Sequence, residues 1–277
     1  MHAHLQIETV LTFWAAAVVV QAVTKYKREG IMPSDKKVAL VTGATRGIGF
    51  ETARQLGQKG ITVVVGGRTQ QDATEAAGKL VAEGIEAYPV ALDITKDADR
   101  KTAASFIAEK FGKLDILINN AGVGGEGGLL NPHTIETTQE ELESVFNTNL
   151  FSVVAITREL LPLLKKSPAG RIVNLGSIVG SLTLQAMPQS PIAPFKAFAY
   201  NASKSALNQF TVHLAAELQG TNIKVNSAHP GWVKTELGTQ HAQMEIADGA
   251  KTSVDLALID QDGPNGKFIH LGKELPW

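Results

Sequence analysis

From about residue 36 onward the chain alternates two kinds of stretch. Short continuous apolar runs, rich in valine and isoleucine, are followed by longer stretches whose apolar residues recur every three or four positions. The first kind suits a strand covered on both faces, the second a helix with one buried face. The runs predict strands over residues 38–42, 61–66, 87–92, 114–119, 171–175, 224–228 and 267–271. The stretches between them predict helices over 47–59, 70–83, 97–111, about 139–164 and 198–219. Alternation of this kind implies βαβ units with right-handed crossovers. The expected fold is α/β: a single domain with a doubly wound parallel sheet of about seven strands and helices on both faces. Two loops follow the fourth and fifth strands, a glycine-dense one over 122–128 and one with three prolines over 181–197. In such sheets ligands bind outside the carboxyl ends of the strands.

Residues 1–31 do not fit this alternation. Val10 to Val23 is almost wholly apolar, and Lys25, Lys27 and Arg28 follow it. The run is shorter than the ~20 apolar residues of a spanning helix. Its positive charges come after the apolar stretch, whereas a cleaved signal peptide carries them before it. Three readings stay open: a weak membrane anchor with the basic flank cytoplasmic, a helix packed on the domain, or a segment upstream of a start at Met32. The last is preferred, with a domain over 32–277. Membrane contact is expected only if the segment is a real anchor.

Composition narrows the chemistry. The 277 residues contain no cysteine, which removes disulfides, thiolate nucleophiles and cysteine-ligated zinc, and fits a cytoplasmic setting. Net charge is −1, with no basic face of the kind nucleic acid requires. The seven histidines, at 2, 4, 133, 213, 229, 241 and 270, show no metal-ligand spacing and read as structural or surface groups. No metal is expected.

Thr42-Gly43-Ala44-Thr45-Arg46-Gly47-Ile48-Gly49 sits directly after the first strand and opens a helix. Glycines there permit a tight turn and close approach to a pyrophosphate, and the helix N-terminus supplies amides and positive potential. This is the Rossmann-type dinucleotide arrangement. A site for NAD would place a carboxylate at the end of the second strand, to bond the ribose 2′-hydroxyl. The chain instead has Gly66-Gly67-Arg68-Thr69, with Arg46 in the glycine loop. Two guanidinium groups suit a 2′-phosphate, so NADPH/NADP+ is the expected cofactor. Tyr200 and Lys204 are four apart on a predicted helix and share a face. An ammonium one turn from a phenol is expected to favour the phenolate and lower its pKa, making a usable proton donor and acceptor.

With Asn119-Asn120-Ala121-Gly122 and Tyr200-Asn-Ala-Ser-Lys204, the chain resembles the single-domain short-chain dehydrogenase/reductases from about Lys36 to Leu271. The resemblance implies Tyr200 as general acid/base and Lys204 as its partner and a ribose ligand. It implies that Ser177 orients the substrate oxygen. It also implies that Asn149, in preference to Asn147, holds a water that links the lysine to solvent. Cofactor contacts are implied for Gly43, Thr45, Arg46, Gly47, Ile48, Gly49, Arg68, Asp93, Ile94, Asn120, Ala121 and Gly122, and for Pro230, Gly231, Val233 and Thr235. Asp93 would accept from the adenine amine, with a helix N-cap as its alternative role.

The stretch from Ser177 to Tyr200 is roughly ten residues longer than the usual family pattern. It and His229-Pro-Gly-Trp232-Val resemble the carbonyl reductases of the family. Reduction of a ketone or aldehyde is therefore the expected activity. Met187, Ile192, Phe195 and Trp232 are expected to wall an apolar substrate pocket. The longer stretch can cover the face through which family members pair, so monomer and homo-oligomer both stay open. Oxidation of a secondary alcohol and ketoacyl reduction would use the same residues. A non-catalytic NADPH sensor is the rival of another class, and retention of both Tyr200 and Lys204 argues against it.

Overall fold

Side chains alternate across a strand, and β1 (Val38–Val41) shows what that does here. Val38 and Leu40 pack into one core while Ala39 and Val41 pack into the other. The computed structural model describes residues 36–125, 134–238 and 242–277. The apolar run from Val10 to Val23 lies outside them. Among the described residues no helix is long and apolar enough to cross a membrane.

Eight strands form one sheet in the order β3-β2-β1-β4-β5-β6-β7-β8. Their ranges are β2 Thr62–Gly67, β3 Ala87–Ala91, β4 Ile116–Asn119, β5 Arg171–Leu175, β6 Lys224–Ala228, β7 Phe268–His270 and β8 Lys273–Glu274. All neighbours are parallel except β7 and β8. One face is covered by α3 (Asp97–Phe111), α5 (Ser152–Leu164) and α7 (Phe198–Glu217). The other carries α1 (Gly47–Gln58), α2 (Gln70–Ala82) and α8 (Ile246–Leu258). The order in which strands join the sheet switches sides between β1 and β4, which stay parallel, and the glycine loop lies at that point.

The expected α/β class and parallel sheet are present, with five differences of detail. The second strand runs one residue later than expected, and a two-residue eighth strand closes the edge. Helix α8 was not expected, because Asp248, Gly249, Thr252 and Ser253 are poor helix formers. Tertiary packing decides there: a Cβ on Gly249 would lie 2.5 Å from Cγ2 of Val233, so only glycine lets α8 approach. The proline-containing loop holds a short helix, α6 (Leu182–Ala186), capped by the Ser181 side chain. The single helix expected over about 139–164 is α4 (Gln139–Phe146) and α5, joined by a five-residue π-turn at Asn147–Phe151.

Candidate active site

That π-turn is centred on Asn149, which is fully buried. Its Oδ1 accepts from the Val123 amide at 2.8 Å. Its Nδ2 donates to the Val123 carbonyl at 2.9 Å and to Ser203 Oγ at 3.0 Å. The widened turn lets the side chain face the loop after β4 instead of its own helix. Asn147 is exposed. A Cβ on Gly122 would stand 3.2 Å from Asn149 Oδ1 and 3.6 Å from Lys204 Nζ, so both polar groups converge on the bare backbone there.

Helix α7 presents Tyr200, Ser203 and Lys204 to the sheet, all buried. It approaches the turn after β5 closely because that turn contains Gly180, whose Cβ would lie 2.8 Å from Cβ of Lys204. Lys204 Nζ donates to the Leu175 carbonyl at 2.8 Å. Ser177 opens the 3-10 turn Ile178–Gly180 without capping it. Its hydroxyl is thereby free to hydrogen-bond the Tyr200 hydroxyl. Burial pushes the Tyr200 phenol up to about 12, only partly offset by that bond. Burial likewise pushes Lys204 down to about 8. The expectation that the ammonium lowers the phenol is thus not met by the chain itself. Both groups are withdrawn from water, and loss of solvation dominates both shifts. The phenol is protonated at neutral pH.

Among the expected nucleotide contacts, Gly43 and Gly47 take left-handed backbone angles, φ 61° and 57°. Gly49 has no room for a Cβ, which would meet the Gly43 carbonyl at 2.4 Å. No side chain caps α1 and its first turn holds no acidic residue, which leaves its positive end available to an anion. Thr235 borders the loop from the far side, 3.7 Å from a Cβ on Gly47. Asn120 Nδ2 donates to the Thr42 and Gly43 carbonyls at 2.8 and 3.0 Å, tying the loop to β4. These features fit a dinucleotide phosphate.

A Cβ on Gly67 would meet Thr45 Cγ2 at 2.6 Å, so the glycine loop and the end of β2 touch one residue before each arginine. Arg46 and Arg68 are exposed, and Arg46 pairs with Glu236 at 2.8 Å. Asp93 does not cap α3. Its Oδ1 closes a turn by accepting from the Thr95 amide and hydroxyl at 3.1 and 2.7 Å. Partial burial opposes its ionisation, but Thr95 and Lys96 outweigh that and hold the carboxyl below its usual value. Ile94 is core. Gly231 has φ 91°, and Val233 pairs with Met244 in a parallel bridge.

Ile192 and Phe195 pack with Tyr200 and Val179, and Phe195 meets Trp232 edge to face at 6.0 Å. Gln185 Nε2 holds the loop together by donating to the Phe195 carbonyl at 2.9 Å. Met187 ends α6 and is half exposed, outside the buried cluster of Ile192 and Tyr200. A hollow of about 490 Å³ lined by Glu140, Glu143, Ser144, Asn147 and Phe151 holds none of the polar groups around Tyr200. Among the described residues no cluster could hold a metal ion.

Sequence reasoning passed over Thr42, whose Oγ1 accepts from the Asn120 and Ala121 amides, both at 3.0 Å. Its place at the end of β1, before the glycines, was the available signal. Ser203, which accepts from Asn149, and Glu236, which pairs with Arg46, had no comparable signal.

The model of the short chain dehydrogenase family matches residues 37–246. The chain belongs to this family. It is 32% identical to short-chain dehydrogenase/reductase 1 of Saponaria officinalis, over 88% of this chain and 97% of that one. Identity to mouse carbonyl reductase [NADPH] 1 is 31%, over 89% of this chain and all of the other. The NADPH-bound crystal structure of carbonyl reductase from chicken fatty liver superposes with a TM-score of 0.74 at 27% identity, covering 87% of this chain and 99% of that one.

Proposed function

We propose that this short-chain dehydrogenase reduces a ketone or aldehyde to the alcohol at the expense of NADPH, with Tyr200 as general acid. The observation that carries the reading is the buried Tyr200, whose hydroxyl faces Ser177 and which sits one helical turn from the buried Lys204. The NADPH named in the mouse relative and bound in the chicken structure supports the cofactor.

Bound NADPH would supply a hydride. Gly43, Gly47 and the uncapped start of α1 would hold its phosphates, Arg46 and Arg68 its 2′-phosphate, and Lys204 its nicotinamide ribose. Ser177 Oγ donates to the substrate carbonyl oxygen and orients it beside Tyr200. Tyr200 Oη releases its proton to that oxygen as negative charge develops, a contribution typically of about 10²–10⁴ in rate. The Lys204 ammonium stabilises the phenolate left behind. Asn149 shapes the loop at Gly122 and leaves an Oδ1 lone pair beside the ammonium, where a water can hand a proton onward. The wall of Ile192, Phe195 and Trp232 favours an apolar carbonyl compound. The same groups run in reverse on a secondary alcohol, and the ratio of NADPH to NADP+ sets the direction. A cytoplasmic location, where NADPH is kept reduced, belongs to the same reading.

The test follows the ultraviolet absorbance of NADPH with a panel of ketones, aldehydes and quinones, beside NADH and a Tyr200→Phe variant. Turnover with NADPH that vanishes in the variant is expected. NADPH binding with no turnover on any carbonyl or alcohol would instead favour the sensor.

A further inference from the structure

His229 follows β6 and is buried within the site's second layer. Its Nδ1 accepts from the Ile178 amide at 3.2 Å. Its own amide donates to the Ile269 carbonyl at 2.8 Å, and its carbonyl bonds Nδ1 of His270 at 2.8 Å. The ring lies 4.8 Å from that of His270 and 6.5 Å from that of Phe268. The backbone is thus fixed by β7 while the imidazole reaches across to β5's turn.

The amide it holds is the one joining Ser177 to Ile178. That peptide plane sets ψ of Ser177, which is 143°, and so helps aim the Ser177 hydroxyl at Tyr200. Ser177 spends no hydrogen bond on capping its own turn. An imidazole accepts at Nδ1 only when that nitrogen carries no proton. Burial, reinforced by His270, pushes the His229 imidazole down to about 3, so the ring stays neutral across physiological pH.

We infer that His229 is a positioning residue for the reduction: its Nδ1 holds the Ser177–Ile178 peptide in the orientation that aims the Ser177 hydroxyl at the substrate oxygen. The inference rests on the proposed role of Ser177. His229 acts through the Ser177–Ile178 peptide, its side chain being bonded to the Ile178 amide.

The shape of the side chain provides the test. Asparagine places an amide oxygen near the position of Nδ1, whereas glutamine carries its polar atoms one bond further, near Nε2. H229N is expected to keep most of kcat. H229Q is expected to lose roughly ten- to hundredfold in kcat, the scale of a misplaced reacting group. NADPH binding, followed by its fluorescence, is expected to be similar in both. Equal kcat in the two variants, whether retained or lost, overturns the inference. The unmodified enzyme supplies a measurement independent of variant folding. Nitrogen NMR of the His229 ring is expected to show an unprotonated Nδ1 and a proton on Nε2 from roughly pH 5 to 8. A proton on Nδ1 overturns the inference. Turnover that survives Tyr200→Phe would overturn the proposed function instead; loss in that variant with no split between H229N and H229Q overturns only the role of His229.

Discussion

Lys204 Nζ lies 5.6 Å from the ring centroid of Tyr200, one turn along the same helix, and both side chains are buried. The ammonium is held at 2.8 Å by the carbonyl of Leu175, the last residue of β5. A charge in that position stabilises a phenolate only while it persists. With Lys204 near 8, kcat for reduction should be level through neutral pH and fall above about pH 8, as the ammonium is lost. Lys204→Met keeps the stem and removes the charge. It should lower kcat by about 10²–10⁴ and abolish that limb of the pH profile.

The same burial has a thermodynamic counterpart. The folded lysine titrates near 8 and the unfolded one near 10.5. Between these values the unfolded chain binds more protons, so Lys204 makes stability rise with pH across this window. Denaturant titrations from pH 8 to 10.5 should show a steeper upward contribution in the wild type than in Lys204→Met.

On the acid side His229 contributes with the same sign. Its folded value is near 3 against 6.5 unfolded, so stability present above 6.5 is lost as pH falls toward 3. His229→Asn removes the titrating group. Melting temperatures measured between pH 6.5 and 4 should therefore fall less steeply in the variant.

Arg46 and Arg68 should separate the two nicotinamide cofactors. A charged hydrogen bond is worth roughly 1.5–3 kcal/mol, so either arginine replaced by alanine should raise KM for NADPH about tenfold or more. KM for NADH should move far less. Glu236 competes for Arg46 through an exposed ion pair. Such pairs contribute about 0–1 kcal/mol, so Glu236→Gln should lower KM for NADPH by a few-fold at most.

Gly231 combines φ 91° with a Cβ position only 2.1 Å from Sδ of Met244. Gly231→Ala should cost at least about 1–3 kcal/mol from backbone strain, with more from the displaced methionine. Thermal unfolding measures the first effect, and weakened NADPH binding would report the shift of Val233 two residues on.

Much of this was legible in the sequence because the deciding signals are local. Val63, Val64 and Val65 announce a strand covered on both sides, and Gly43, Gly47 and Gly49 announce a turn that must pass close to something. Tyr200 and Lys204 could be placed together because four residues on a helix make one turn. Features set by distant contacts could not be read in this way. The π-turn at Asn149 exists because Val123 takes its side chain, and α8 packs because Gly249 meets Val233. Met187 has the same apolar character as Ile192, and only the course of α6 separates one from the other. His229 read as a structural histidine because its partner, the Ile178 amide, lies 51 residues away. The raised phenol of Tyr200 depends on depth of burial, which the spacing of two residues does not reveal.

The loop between Ser181 and Phe198 meets a tryptophan near each end, through the main chain of one and the indole of the other. Near its start, the Thr183 amide donates to the carbonyl of Trp277, whose ring stacks on Phe268 at 5.7 Å. Near its end, Phe195 meets Trp232, whose Nε1 donates to the Gly238 carbonyl at 2.7 Å. The chain has three tryptophans, and the third, Trp14, lies outside the described residues. Two of its three tryptophans therefore flank the segment proposed to wall the substrate. The enzyme carries its own optical gauge of loop position, readable in emission wavelength and lifetime without any attached dye.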